Sequence, residues 1–281
     1  MGICVALADK LETLVGMFGI GQIPTGDKDP FALRRHALGI VRILIEANLP
    51  LDLDSTLMLA IQGLNNDEIW YAARDRDLVN KIEQKQTGAI SSSENLRSLI
   101  RVDLQAVVNF IFDRLTGYLR DQEFTVQEID AVLALKTQFL GDIPKRLAAV
   151  RAFAALPEAA ALAAANKRVG NILKKTEGDF ALRQAQGERI EINVALLQEP
   201  AEQALHQALS KITTKADSAL ASGDYTATLS ALAALRIPVD EFFDNVMVNA
   251  EDMALRANRL ALLSQLHQAM NRIADISKLA T

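Results

Sequence analysis

The stretch PEAAALAAANKRVGNILKK, residues 157–175, decides the fold class of this chain. Alanine, leucine, lysine and arginine dominate it, and these residues have high helix propensities because they lose little rotamer freedom in a helix. Pro157 stands where a first helical turn begins, a position that tolerates its missing N–H. Further on, Val169, Ile172 and Leu173 follow helical spacing, in which positions three and four apart share one face. The stretch therefore predicts an amphipathic helix.

The same helical pattern runs through most of the chain. Thr125 and Glu128 have capping-box spacing ahead of an apolar run, which predicts the start of a helix there. Helical patterns also fill residues 196–221, 225–235, 239–247 and 250–276. Residues 190–194 form the one short alternating run, and they are too few for a sheet. We predict an all-α, multi-helix bundle.

The composition excludes several protein classes. The chain has 281 residues, of which 50% are hydrophobic, with 14 Gly and 7 Pro, so a disordered or collagen-like chain is excluded. A single cysteine, Cys4, cannot form an intrachain disulfide and indicates a reducing compartment. No apolar run reaches the roughly 18 residues of a membrane-spanning helix, and the N-terminus lacks a signal-peptide pattern. We expect a soluble, cytoplasmic protein with no membrane partner.

The strongest cluster of positive charge lies in the opening stretch. The net charge of the chain is −5, so a polyanion would have to bind at a local cluster. Helical spacing places Lys167, Asn171 and Lys174 on one face, with Arg168 and Lys175 beside it. Such a row of cations can contact consecutive phosphates of a nucleic-acid backbone. The alternative is a solvated helix face that happens to be basic.

Other basic residues form weaker patterns. Two further clusters are Arg34 and Arg35 with Arg42, and Arg97 and Arg101 with Arg114 and Arg120. Near the C-terminus, Arg256 and Arg259 lie three positions apart on one predicted helix face. Asp252 precedes Arg256 by four positions, a spacing that allows an ion pair along the helix. For each of these patterns, an ordinary charged surface is the alternative.

The chain contains no pattern typical of a self-contained catalyst. It lacks the HExxH pattern of zinc proteases and the GxSxG pattern of serine hydrolases. Residues 19–28 superficially resemble a phosphate-binding loop, but Asp27 separates Gly26 from Lys28 and no strand precedes the loop. We predict a turn between helices at 19–28, no catalytic residues and no metal ligands.

Two stretches have the composition of boundaries between structural parts. Residues 16–29 contain four glycines and a proline, and residues 84–93 are polar and rich in Ser, Gln and Thr. These two stretches are candidate boundaries between helical parts of the chain.

Blocks spread over the whole chain resemble one protein family. They are VALADKL (5–11), TLV (13–15), GIG (19–21), PTG (24–26), KDPFALRR (28–35), YLRDQ (118–122), ANKRV (165–169), NILKK (171–175), FFD (242–244) and RANRL (256–260). In content and order these blocks are similar to the beta subunit of the bacterial heterotetrameric glycyl-tRNA synthetase. That subunit is considerably longer, so the chain resembles its C-terminal portion.

The resemblance implies a fold, a function and partners. It implies the end of an HD-type domain and a helical connector within 1–88, a helical body at 89–164 and a DALR-type anticodon-binding domain at 165–281. The implied function is recognition of tRNA-Gly within a glycine–tRNA ligase of two alpha and two beta chains. The alpha subunit of the family carries the active site and uses ATP and magnesium, so no cofactor is expected in this chain, and DNA is not an expected partner.

The chain departs from the family patterns at two places. HD phosphohydrolases place a His, a His-Asp pair and a distal Asp around a metal, and only Asp9 matches the distal aspartate. His36 does not occupy a matching position, so the resemblance implies no metal site. Met253 separates Asp252 from the Ala-Leu-Arg part of the DALR signature.

These observations predict which residues bind tRNA. The expected primary contacts are Lys167, Arg168, Asn171, Lys174 and Lys175; the secondary ones are Arg256 and Arg259. We expect Arg34 and Arg35 to contact tRNA or the alpha subunit. Glycine anticodons end in two cytosines, whose amino groups donate hydrogen bonds, so carboxylates or backbone carbonyls are expected at the base-reading surface. The alternatives are a remnant of an HD-type metal phosphohydrolase and a structural helical scaffold for subunit assembly.

Overall fold

The computed structural model describes residues 2–65, 102–175 and 192–280. These ranges are helices joined by turns, and no strand occurs within them, which confirms the predicted all-α class. Their β-type pairings are two isolated bridges, Thr25–Lys28 and Asp52–Phe139. The predicted boundary stretch at 84–93, Arg97, Arg101, and residues 190 and 191 of the short alternating run lie outside the described residues.

The chain divides into two compact units. The first consists of Met1–Glu123 and Thr137–Ile143, and the second of Phe124–Lys136 and Pro144–Thr281. The predicted division into three helical parts stays a prediction, and its first boundary, at residue 88, falls outside the described residues.

The first unit packs its helices around aliphatic side chains. Its described helices are α1 (Gly2–Gly19), α2 (Leu33–Glu46), α3 (Leu53–Asn65) and α4 (Leu104–Asp121). Leu14 of α1, Leu33 of α2 and Ile111 of α4 are fully buried, as apolar faces of amphipathic helices should be. The rings of Phe18 and Phe110 meet edge to face at 5.2 Å, so Phe110 contributes to the core.

The glycine-rich stretch at 19–28 is a turn that connects α1 to α2, as predicted. Gly21 and Gly26 have φ values of 74° and 52°, which only glycine adopts without strain. The Asp29 carboxylate accepts hydrogen bonds from the backbone N–H groups of Leu33 and Arg34, at 2.8 and 3.0 Å. This carboxylate satisfies donors that the first turn of α2 leaves without helical partners.

The second unit is built around a buried helix. Its helices are α5 (Val126–Leu133), α6 (Ile143–Ala154), α7 (Ala159–Lys175), α8 (Pro200–Ala221), α9 (Tyr225–Ser230), α10 (Arg236–Asn245) and α11 (Met253–Met270). The middle of α11 is buried on every side at Leu260, Ala261, Leu262 and Leu263, as expected for a helix in the interior of a unit. Both α7 and α8 pack against α11.

The predicted capping box at the start of α5 is present and is extended by an arginine. Thr125 accepts from the Glu128 N–H, and the Glu128 carboxylate accepts from the Thr125 N–H. The Arg151 guanidinium donates two hydrogen bonds of 2.9 Å to the same carboxylate and lies over the Phe124 ring. The hydrogen bond from Arg151 lowers the pKa of Glu128 below its ordinary value, and this effect is larger than the opposing effect of burial. The hydrogen bond from the Thr125 N–H also lowers this pKa.

This lowered pKa predicts a pH-dependent loss of stability. Because the pKa of Glu128 is lower in the folded than in the unfolded chain, its stabilising contribution is present above the unfolded pKa of about 4.3 and is lost as the pH falls through the folded pKa. Replacement of Glu128 by Gln should therefore lower the free energy of unfolding by about 1 kcal/mol at pH 7 and flatten its decrease in acid. Urea unfolding followed by circular dichroism at pH 7 and pH 3 measures both effects.

The control is the same substitution at Glu241, an exposed residue of α10. A Glu241→Gln variant should follow the wild-type pH profile. The interpretation fails if Glu128→Gln and Glu241→Gln change the profile equally.

Candidate functional site

One side of α7 carries the cations that the sequence predicts as a binding site. Burial of Ala159, Leu162, Ala163, Asn166 and Val169 defines the packed side of this helix. The opposite side exposes five polar residues, which we call the basic face: Lys167, Arg168, Asn171, Lys174 and Lys175. The structure therefore brings together all five residues predicted from helical spacing as primary tRNA contacts.

The position of α7 is set by a pair of side-chain amides, that of buried Asn166 and that of half-buried Asn271. The side chains of Asn166 and Asn271 exchange hydrogen bonds of 2.8 and 3.2 Å, and Asn271 also donates to the carbonyl of His267. Asn166 is completely buried, so separating this pair would leave polar atoms without partners in the interior. The pair thus fixes the register of α7 against the C-terminal end of α11.

The cations of the basic face have no carboxylate partner within residues 2–65, 102–175 and 192–280. Among the residues that the structure describes, no carboxylate lies within 4.0 Å of the charged nitrogens of Lys167, Arg168, Lys174 or Lys175. Arg34, by contrast, donates from its guanidinium to the backbone carbonyl of Gly26. The four cations of the basic face are therefore available to an external anion.

A shallow pocket lies on the basic face. It has a volume of about 390 Å³ and is lined by Ala164, Lys167, Arg168, Asn171, Ile172 and Lys175. These positions follow the spacing of one helix face. Lys174 is not part of this lining and lies toward His267 instead.

Arg168 is held by an aromatic ring from another helix. Its guanidinium carbon lies 4.1 Å from the centroid of the Phe243 ring, a cation–π contact. The Phe243 ring meets the ring of buried Phe242 nearly perpendicularly, with centroids 5.6 Å apart. The two phenylalanines thus support Arg168.

The histidine of α11 borders the basic face without adding charge to it at neutral pH. A Cβ atom at Gly170 would lie 3.4 Å from the His267 ring, so the two helices approach closely there. Burial lowers the pKa of His267 below its ordinary value, and nearby Lys174 adds to this effect, while Asp275 opposes it. His267 is accordingly neutral near pH 7.

The structure corrects the prediction for Arg259. Its guanidinium is buried and donates to the carboxylate of buried Glu202 at 2.5 Å and to the backbone carbonyl of Met247 at 2.8 Å. The positive charge is already compensated inside the unit, so Arg259 is a structural residue and not an exposed tRNA contact. Arg256, its predicted companion, is exposed and stays a candidate.

Asp252 also has a different partner from the one its spacing suggests. It does not pair with Arg256 in the described part of the chain; its carboxylate caps α11 by accepting from the N–H groups of Ala254 and Leu255, at 2.7 and 3.1 Å. Because Asp252 stands at the start of α11, its carboxylate accepts from backbone N–H groups two and three positions away. These groups lie nearer in the chain than the Arg256 side chain, which is four positions away.

The predicted arginines of the first unit have unequal environments. Arg34 is half-buried and holds the turn between α1 and α2 through its contact with Gly26, whereas Arg35 is exposed. The neighbouring Arg42 pairs with Glu46 on the same helix. Arg35 is therefore the more accessible of the two predicted contacts.

The described residues contain no group of three or more His, Cys, Asp or Glu side chains that could hold a metal ion. Asp9, the match to the distal aspartate of HD phosphohydrolases, is exposed, and its Oδ2 lies 3.8 Å from Nζ of Lys10.

Within the described residues, no single helix is long and apolar enough to cross a membrane. The segments Leu140–Ala154 and Ala159–Lys175, which are bent by 110°, pass that test of length and composition as a pair.

Comparisons with known proteins show what the chain is similar to. A family profile described as glycyl-tRNA synthetase beta subunit matches residues 1–134, and one described as DALR anticodon binding domain matches residues 162–279. The glycine–tRNA ligase beta subunit of Janthinobacterium sp. (strain Marseille) is 57% identical over 280 residues, which are 100% of this chain and 34% of the relative. That of Nitrosomonas europaea is 53% identical over 279 residues, 99% of this chain and 36% of the relative. Over nearly its whole length the chain is similar to glycyl-tRNA synthetase beta subunits.

These matches confirm the resemblance seen in the sequence. The chain spans about a third of the length of these curated beta subunits and corresponds to their C-terminal part. The DALR profile includes the whole basic face together with Arg256, whereas Arg34 and Arg35 fall within the glycyl-tRNA synthetase profile.

The buried ion pair between Arg259 and Glu202 predicts unequal effects for two arginines of α11. Arg259→Met leaves the Glu202 carboxylate buried without its cation and should reduce the free energy of unfolding by about 3–5 kcal/mol. Arg256→Met, an exposed substitution on the same helix, should change it by less than about 0.5 kcal/mol. Urea unfolding of both variants measures the difference.

A double variant separates the loss of pairing from the loss of packing. Glu202→Gln combined with Arg259→Met removes both charges, so it should be more stable than Arg259→Met alone. Equal stability of the Arg259→Met and Arg256→Met variants would contradict the assigned role of the pair.

Proposed function

We propose that this chain is the tRNA-docking part of a glycine–tRNA ligase beta subunit and binds tRNA-Gly through the basic face of α7. The observation that carries the proposal is a group of four exposed cations on one helix side, which form no ion pair with any described residue, in a chain whose net charge is −5. An acidic protein with a local basic face attracts a polyanion at one place and repels it elsewhere. This is the charge distribution that selective docking of one RNA requires.

The proposal includes recognition of the anticodon. The DALR profile and the names of the relatives support it. Asp244, next to Phe243, and Glu251, before α11, are exposed carboxylates close in sequence to the aromatic support of Arg168. A carboxylate accepts a hydrogen bond from the amino group of cytosine, the base that ends the glycine anticodons. We assign base reading to this segment and backbone binding to the lysines.

The complete enzyme is part of the same proposal. In this proposal the chain contributes neither a catalytic centre nor a cofactor and acts with an alpha subunit, which uses ATP and magnesium to activate glycine. Two alpha and two beta chains form the assembly, in the cytoplasm. Of the rival functions, a metal phosphohydrolase finds no support in the exposed position of Asp9. A purely structural scaffold for subunit assembly would not bind tRNA through the basic face, so measurements of tRNA binding distinguish it from tRNA docking.

The proposal predicts the salt dependence of tRNA binding. Each phosphate contact contributes about 0.7 to 0.9 to the slope of log affinity against log salt concentration. Replacement of Lys174 and Lys175 by Ala should therefore flatten this slope by about one to two units and weaken binding at low salt. Fluorescence anisotropy with labelled tRNA-Gly at several salt concentrations measures both quantities.

A matched control removes the same charge from another helix. Lys211 and Lys215 lie four positions apart on the exposed side of α8, and their replacement by Ala also removes two lysines. This control should retain most of the wild-type slope. An unchanged slope in the Lys174/Lys175 variant, or equal losses in both variants, would contradict docking on the basic face and favour the scaffold or another docking face.

A further inference from the structure

Arg168 differs from the lysines of the basic face because its charged group is planar and lies over an aromatic ring. The guanidinium carbon lies 4.1 Å from the centroid of the Phe243 ring, although Arg168 itself is exposed. Because guanidinium groups stack on aromatic faces, this contact is expected to cover one side of the planar group and to leave its other side away from the ring. A phosphate contact requires only charge and N–H groups at the edge of a guanidinium, so this geometry leaves the outer planar face for another type of contact.

The ring beneath Arg168 is itself fixed. Phe242 is fully buried, and its ring contacts that of half-buried Phe243 edge to face, at 5.6 Å and 81°. The order of support runs from the core through Phe242 and Phe243 to Arg168. A side chain that is already ordered loses less conformational entropy when a ligand binds on it.

The surroundings of Arg168 have the chemistry of a site for one nucleotide. The pocket of about 390 Å³ beside it falls near the low end of the roughly 300–1,000 Å³ range of small-ligand pockets. Its lining combines the apolar side chains of Ala164 and Ile172 with the amide of Asn171, which both donates and accepts hydrogen bonds. Lys167 and Lys175 supply positive charge to the same lining.

These features suit an unpaired RNA base better than a double-stranded RNA segment. Side chains cannot read the deep major groove of an RNA duplex, whereas unpaired bases stack on aromatic rings and on arginine planes. A stacked base needs a flat, ordered platform, an apolar wall and a polar group at its edge. Arg168, Ile172 and Asn171 offer these three elements on one helix face.

We propose that Arg168, supported by Phe243, is a stacking platform for one unpaired base of the bound RNA. In this arrangement Asn171 contacts the edge of the base, and Lys167 and Lys175 bind the flanking phosphates. The inference rests on the proposed function and refines it, because it reassigns Arg168 from phosphate contact to base contact. It makes the basic face a reader of single-stranded RNA as well as an electrostatic docking surface.

The test combines a charge-preserving variant with RNA that lacks single bases. Arg168→Lys keeps the positive charge but removes the planar group. Its affinity for tRNA-Gly should fall by about fivefold to 150-fold, the range typical of one lost stacking contact, while the salt slope stays at the wild-type value. The RNA partners are tRNA-Gly molecules in which one anticodon-loop nucleotide at a time is abasic.

The decisive result is non-additivity between protein and RNA changes. For the wild-type chain, one abasic position should weaken binding by about the same factor as Arg168→Lys, and the variant should lose nothing further at that position. Phe243→Leu, which removes the supporting ring but keeps the charge of Arg168, should reproduce the loss; its circular dichroism spectrum and unfolding curve check that it is folded. The control is Arg236→Lys, a change at an exposed arginine of α10 whose Nε lies 3.8 Å from Oδ2 of Asp240. This variant should bind like wild type.

The possible outcomes separate the inference from the proposed function. A salt slope lowered by about one unit in Arg168→Lys would make Arg168 a phosphate contact and overturn the stacking role. Additive losses at every abasic position, or unchanged affinity of Arg168→Lys, would also overturn it while leaving tRNA docking intact. Absence of tRNA-Gly binding by the wild-type chain would refute the proposed function together with the inference.

Discussion

The buried ion pair between Arg259 and Glu202 is the constraint on which the second unit depends. Arg259 lies on α11 and Glu202 in the first turn of α8, and the same guanidinium also binds the carbonyl of Met247 between α10 and α11. Beside it, the Asn258 side chain exchanges hydrogen bonds with the backbone of Asn193. Two adjacent residues of α11 thus hold three segments, and because a buried charge without a partner is costly, these segments keep one arrangement.

The fixed position of α11 determines what α7 can present. The Asn166–Asn271 pair and the close approach of Gly170 to His267 place α7 against α11 with one side covered. The covered side of α7 consists mainly of apolar residues, and the lysines therefore lie on its outer side. Since the internal charge of Arg259 is neutralised by Glu202 and His267 is neutral at pH 7, the field of this surface comes from the exposed cations of α7.

The helical class, the capping box at Thr125 and the grouping of the α7 cations could all be predicted from local spacing, because helix periodicity alone determines which residues share a face. Spacing does not determine which face other helices cover. The spacing of Arg256 and Arg259 therefore predicts the same role, tRNA contact, for both residues, although packing buries Arg259 and exposes Arg256. The contact of Arg168 with Phe243 joins residues far apart in the chain, and no local pattern could reveal it.

The central claim is that RNA docks on the outer side of α7, and photo-crosslinking tests it most directly. The 281-residue chain would be irradiated with tRNA-Gly and digested, and the crosslinked peptides would be identified by mass spectrometry. The account predicts that peptides containing residues 164–175 dominate. Crosslinks confined to other surfaces, such as the side of α8 that exposes Lys211 and Lys215, with none at 164–175, would contradict it.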